Sequence, residues 1–249
     1  MTASRPRHYA RPLLAAPARR PAAIVFACAV LILAGGAVLV HDQYNDPLDS
    51  RFGTWATTRL AEHSSALQLV ADLGQKKEVI VLIAVICLAC LAARRVNGAA
   101  LAVIGAPAAS VATEKVLKPL AGHLYPYASY PSGHTTGFFA LVATTAVLLA
   151  GPASGKTPRM PRTLRVTIVA AAVLVGCAIG IAVVGLGDHH FTDTAGGAAV
   201  GVAVVLAAAF LLDLPFCRGL LGLTWLTRRP PAPEAPLPYR ADPVPGEER

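Results

Sequence analysis

Charge is scarce in this chain. Charged residues fill 14% of 249 positions, against about 25% in a soluble domain. Hydrophobic residues fill 55%, and mean hydropathy is +0.55. That balance excludes an ordinary soluble domain, and the apolar residues gather in long runs suited to a bilayer. The positive excess, +8 with a pI near 9.6, lies in short segments between those runs. No recognition-module pattern accompanies it, so it reads as a topology signal and not as a nucleic-acid surface. Cysteine is sparse as well. Of Cys28, Cys87, Cys90, Cys177 and Cys217, the first four sit in apolar runs, which argues against a disulfide framework. Cys87 and Cys90 form a C-x-x-C inside VLIAVICLACLAARR, where they read as small packing residues of a span. The spans also lack the internal ionisable residues and Gly/Pro-broken pairs that mark a transporter.

What is present is a series of apolar segments at 22–40, 78–93, 98–113, 134–150, 165–186 and 192–213. The first is too long for a secretory signal and reads as a retained span. Residues 52–73 carry apolar side chains at roughly helical spacing and suit a helix lying at the interface. If the N-terminus is cytoplasmic, the inside segments hold sixteen Lys and Arg and the outside segments six. This bias predicts an all-α, six-span transmembrane helical bundle with both termini cytoplasmic. Residues 1–20 read as a disordered basic tail, 21–214 as the membrane domain and 215–249 as a Pro-rich cytoplasmic tail.

The same topology puts a loop at 114–133 and a short loop at 187–191 on one outer face. In the first, Pro131-Ser132-Gly133-His134 precedes an apolar helix. Ser132 is suited to cap that helix, whose first turn offers unpaired N–H groups to an anion; Gly133 allows close approach and His134 can donate a proton. In the second, Asp188-His189-His190-Phe191-Thr192-Asp193 places His189 and Asp193 four apart, on one helical face. A carboxylate beside an imidazole fixes its tautomer, and such an imidazole can attack phosphorus. A metal site built from Asp188, His189, His190 and Asp193 is the rival reading, ranked lower because adjacent histidines often point apart.

These motifs resemble those of the type-2 phosphatidic acid phosphatase superfamily, six-span lipid phosphatases with soluble relatives. The resemblance runs roughly over residues 22–213. The family's P-S-G-H block stands intact at Pro131–His134. His189 and Asp193 match the H and D of its third block, and Lys118 and Pro126 match the ends of its first. The first-block Arg falls on Tyr125, and the third-block Ser and Arg fall on Ala182 and Val183. The resemblance implies His189 as nucleophile, Asp193 orienting it, and His134 as acid and then base. It also implies Lys118, Ser132 and Gly133 around the phosphate, without metal or other cofactor. His123 and His190 lie close enough in sequence to stand in part for the missing arginines. The implied substrate is a lipid phosphate, phosphatidic acid or a polyprenyl mono- or diphosphate among them, met at the extracytoplasmic face of a plasma (inner) membrane. The alternative is a catalytically degenerate member that binds lipid phosphate, or serves as a membrane assembly protein, without turnover.

Overall fold

The computed structural model describes residues 12–41, 47–124, 129–151, 160–215 and 217. The described elements are all helical. In order they are α1 (Ala16–His41), α2 (Pro47–Arg59), a single 3-10 turn (Ala61–His63), α3 (Ser64–Asp72), α4 (Lys76–Ala92) and α5 (Val96–Val111). A π-helical turn (Ala112–Leu117) then leads into α6 (Lys118–Leu124), and α7 (Gly133–Ala150), α8 (Arg162–Gly185) and α9 (Phe191–Leu212) complete the bundle. A chain in lipid must satisfy its backbone polar groups internally, and a helix does so within one segment. Among the described residues five helices are long and apolar enough to cross a membrane: α1, the continuous run from α5 into α6, α7, α8 and α9. The sixth expected span is α4, whose 17 residues extend ~25 Å, the short end of what spans a bilayer. The outer surface is apolar too, with Leu31, Leu88 and Leu174 all about two-thirds exposed or more, as a lipid-facing surface requires.

At the centre α7 crosses α9. Their backbones touch where α9 presents Gly197 and Gly201: a Cβ on Gly201 would lie 2.5 Å from the Thr136 carbonyl oxygen. Small residues one turn apart permit this approach, and in lipid the close packing itself holds helices together. Leu101, Ala140, Val205 and Ala209 fill the core where α5 joins the pair. On the far side of α7, Ile179 of α8 packs with Phe138 and Val142.

The two ends of the bundle differ. At one end Asp213 accepts the backbone N–H groups of Leu13 and Leu14, at 2.7 and 2.9 Å. Arg95 and Arg165 there donate to the carbonyls of Leu148 and Leu149 at the close of α7. The segments before α1 and after α9 therefore lie at the same end. His134 and His189 lie at the other.

Three expectations need correction. Residues 114–124 are helix and not loop: the Glu114–Lys118 pair supports the turn, and the π turn precedes Pro119, whose missing N–H cannot serve a regular α-helix. Residues 52–73 form α2 and α3, separated at Leu60–His63, and not one interfacial helix. Residues 16–20 belong to α1, and Leu13 and Leu14 are buried, because the Asp213 carboxylate fixes the chain just ahead of the helix. Residues 1–11 and most of 215–249 fall outside the described residues.

Candidate active site

The start of α9 is organised by two carboxylates. Asp193, in its first turn, is fully buried. Its Oδ2 accepts the N–H of His190 at 3.0 Å and the hydroxyl of Ser129, and it lies 3.3 Å from Nδ1 of His189. A carboxylate at a helix N-terminus is favoured by the local dipole. With Nδ1–H directed at Asp193, the lone pair of His189 is on Nε2. The second carboxylate comes from α2: Asp49 accepts both the N–H and the hydroxyl of Thr192, at 2.8 and 2.5 Å. Phe52 of α2 packs on Phe191 beside it, ring centroids 5.0 Å apart.

The start of α7 is bound to the start of α9 and to two further helices. The Ser132 N–H donates to the Asp193 carbonyl at 2.9 Å. The Thr136 hydroxyl bonds the Ser132 carbonyl and meets Thr113 beyond α5. Tyr130, joined to Pro131 by a cis peptide, donates its hydroxyl to the Leu33 carbonyl of α1 at 2.6 Å. Burial, and then the Asp193 carboxylate, push this phenol above its ordinary range, so it stays a donor. These bonds set His134 and His189, 55 residues apart in sequence, edge to face with ring centroids 6.4 Å apart and planes at 72°.

Both imidazoles line a cavity of about 900 Å³, together with Gly133, Lys118, Glu114 and Lys76. Its remaining wall is largely apolar, with Ile80 and Ile83 of α4 facing Pro107 and Val111 of α5. The cavity thus has a polar, cationic end at the histidines and an apolar end between helices. Lys118 Nζ is 2.9 Å from Glu114 Oε1. That oxygen also crowds the first residue of α7, since a Cβ on Gly133 would lie 2.6 Å from it.

The structure therefore brings together His134, His189, Asp193, Lys118 and Gly133. Ser132 is fully buried behind Gly133, is not part of the cavity wall, and its hydroxyl has no partner among the described residues. His190 is about half exposed, with Nδ1 3.7 Å from Asp193, and lies off the cavity wall. Tyr125 and the side chain of His123 lie outside the described residues. Among the described residues no cluster of three His, Cys, Asp or Glu is placed to hold a metal ion. Asp49, Ser129 and Glu114 escaped the sequence reading. Only Glu114 left a signal, its i, i+4 spacing from Lys118.

Ala182 and Val183, where the family pattern has Ser and Arg, are buried in an apolar cluster with Ala71 of α3. No curated protein and no solved structure matches the chain. Residues 104–213 match the PAP2 superfamily. This stretch holds α7, α8, α9 and the histidine pair, and the match is consistent with membership of that superfamily.

Proposed function

We propose that this membrane protein is a phosphatase that removes phosphate from a lipid monophosphate or polyprenyl diphosphate through a phosphohistidine. The observation that carries the reading is the histidine pair: two imidazoles 6.4 Å apart on one cavity, one of them backed by a buried carboxylate. The superfamily comprises phosphatases in general, which agrees with that chemistry.

In this mechanism Nε2 of His189 attacks phosphorus. An N–P bond forms, the P–O bond to the lipid alcohol or phosphate breaks, and His134 gives the leaving oxygen its proton. Asp193 holds the imidazole in the correct tautomer and stabilises its positive charge. Water then attacks phosphorus, His134 takes its proton, and the N–P bond breaks to release inorganic phosphate. Lys118 and the first-turn amides at Gly133 hold the phosphoryl oxygens. Ser132 keeps the turn in place from behind. The apolar end of the cavity accepts the lipid tail.

The reading includes a side of the membrane. Arg95 and Arg165 mark the end of the bundle away from the site, and positive residues favour the cytoplasm. The site then faces outward from a plasma or inner membrane, with α4 as a sixth span and both termini inside. Cysteine labelling at Gly187 and Arg159 tests this, and a cytoplasmic Gly187 would reverse the assignment.

The activity is tested by phosphate release from a panel of lipid mono- and diphosphates, with His189→Ala as control. Labelled substrate should leave an acid-labile phosphoenzyme in the wild type and none in the variant. A second reading, binding without turnover, is favoured by one observation: the buried apolar pair Ala182 and Val183 in place of a phosphate clamp. Retained binding with no release from any lipid would select it.

A further inference from the structure

We infer that Lys76, at the start of α4, binds the substrate phosphate in place of the arginine that position 183 does not supply. The inference rests on the phosphatase reading and adds a binding residue from outside the family-matched segment, which begins at residue 104.

The argument begins at the vacated positions. A buried arginine at 183 would need an anion beside it, since a buried charge is costly unless paired. Here Val183 and Ala182 are instead the floor on which α3 docks, packed with Leu67, Val70 and Ala71. Replacing the polar pair by an apolar one seats α3 over the site. The chain leaving α3 then reaches the histidines. Gly74 abuts both α8 and α7: a Cβ there would lie 3.0 Å from Ile179 and 3.1 Å from the Cβ of His134. Lys76 follows two residues later, within ~7 Å of Gly74 along the backbone, and lines the cavity with His134, His189 and Lys118.

Charge pairing singles out Lys76 among the cations there. Lys118 is held by Glu114 at 2.9 Å. Lys77 is 3.4 Å from Glu78. Asp72, the nearest carboxylate earlier in the chain, accepts from Gln68 and Gln75. Among the described residues Lys76 has no carboxylate partner. A dianionic phosphate entering the cavity meets this ammonium first as an uncompensated charge. An ammonium on a flexible stem suits that task, as a point charge that binds phosphate without a fixed fork.

The experiment uses the full chain in detergent with a short-chain lipid monophosphate, and in parallel the binding of inorganic phosphate followed by calorimetry. Wild type is compared with Lys76→Ala, Lys76→Arg and Lys115→Ala, the last an exposed lysine off the cavity wall. Lys76→Ala should raise KM about tenfold, the worth of one charge-assisted hydrogen bond, with kcat nearly unchanged. Its affinity for inorganic phosphate should fall in step. Lys76→Arg should restore both, and Lys115→Ala should match wild type. Wild-type KM and phosphate affinity in Lys76→Ala would overturn the inference. If the wild type binds phosphate but releases none from lipid, the phosphatase reading fails while the phosphate titration still decides Lys76. If the wild type does neither, both fall.

Discussion

Asp49 and Thr192 stand 143 residues apart in sequence, and the Asp49 carboxylate accepts both the backbone N–H and the hydroxyl of Thr192. Both residues are buried. The bond pair fixes the first turn of α9 from outside, while Asp193 fixes it from within. His189 is therefore positioned by two carboxylates, only one of which lies near it in sequence.

Asp49→Ala should loosen that turn. Hydrogen bonds to a charged acceptor are worth about 1.5–3 kcal/mol each, so a fall in thermal stability is expected. The larger effect should be on kcat, because a displacement of about 1 Å at a reacting group can cost on the order of 100-fold. KM should change little, since Asp49 is not part of the cavity wall. Asp49→Asn keeps an acceptor for the N–H and should recover most of the rate. An alanine variant with wild-type kcat would show that Asp193 alone suffices.

Glu114 gives a prediction of opposite sign. Its carboxylate neutralises Lys118 and occupies space at Gly133 where a phosphoryl oxygen would sit. Both side chains are about 30% exposed, and a partly exposed pair of this kind is worth only about 0.5–1 kcal/mol. Substrate must take Lys118 from that partner. Glu114→Gln should accordingly lower KM about two- to fivefold and leave kcat near wild type. A raised KM would mean that Glu114 instead holds Lys118 in its working position.

The α7–α9 crossing should be intolerant of even one methyl group. A Cβ on Gly197 would lie 2.2 Å from the Thr135 hydroxyl and 2.3 Å from the Ser132 carbonyl oxygen, whereas one on Gly53 meets nothing within 4 Å. Overpacking of this kind costs about 1–3 kcal/mol, and relief requires α9 to move off α7 beside His134. Gly197→Ala should lose most phosphate release while still inserting into membranes, and Gly53→Ala should match wild type. Equal activity in the two would mean that the histidine pair tolerates a wider crossing.

Much of this could be read along the chain, for a physical reason. A span in lipid must be apolar over its whole length, so α7, α8 and α9 begin and end within three residues of where hydropathy puts them. His134 and His189 announce themselves because imidazoles beside Gly133 and Asp193 are unusual at the end of an apolar run. Asp49, Ser129 and Lys76 do not. Each reaches the site through packing between distant helices, and each lies in a polar stretch where one more Asp, Ser or Lys carries no signal. The helical extension through Lys118 was hidden by Pro119, which argues for a loop unless a π turn absorbs it.

The final prediction concerns the end of the bundle away from the site. Asp213 is buried, and its two carboxylate oxygens accept the N–H groups of Leu13 and Leu14. Those two leucines are buried in turn and join the core of α5, α7 and α9. Asp213→Ala strands two N–H groups without an acceptor and frees the chain ahead of α1. Loss of one such interaction costs about 1.5–3 kcal/mol, enough to lower the melting temperature in detergent by several degrees. The histidines are a full α9 away, 22 residues or ~33 Å, so kcat measured well below the transition should be unchanged. Asp213→Asn keeps one carbonyl oxygen as an acceptor and should fall between wild type and alanine in stability. The pairing of outcomes matters: lower stability with intact kcat assigns Asp213 to holding α1 in the bundle. Intact stability would mean that the buried leucines hold α1 unaided, and a large fall in kcat would mean that α1 reports to the site through Tyr130, whose hydroxyl bonds the carbonyl of Leu33.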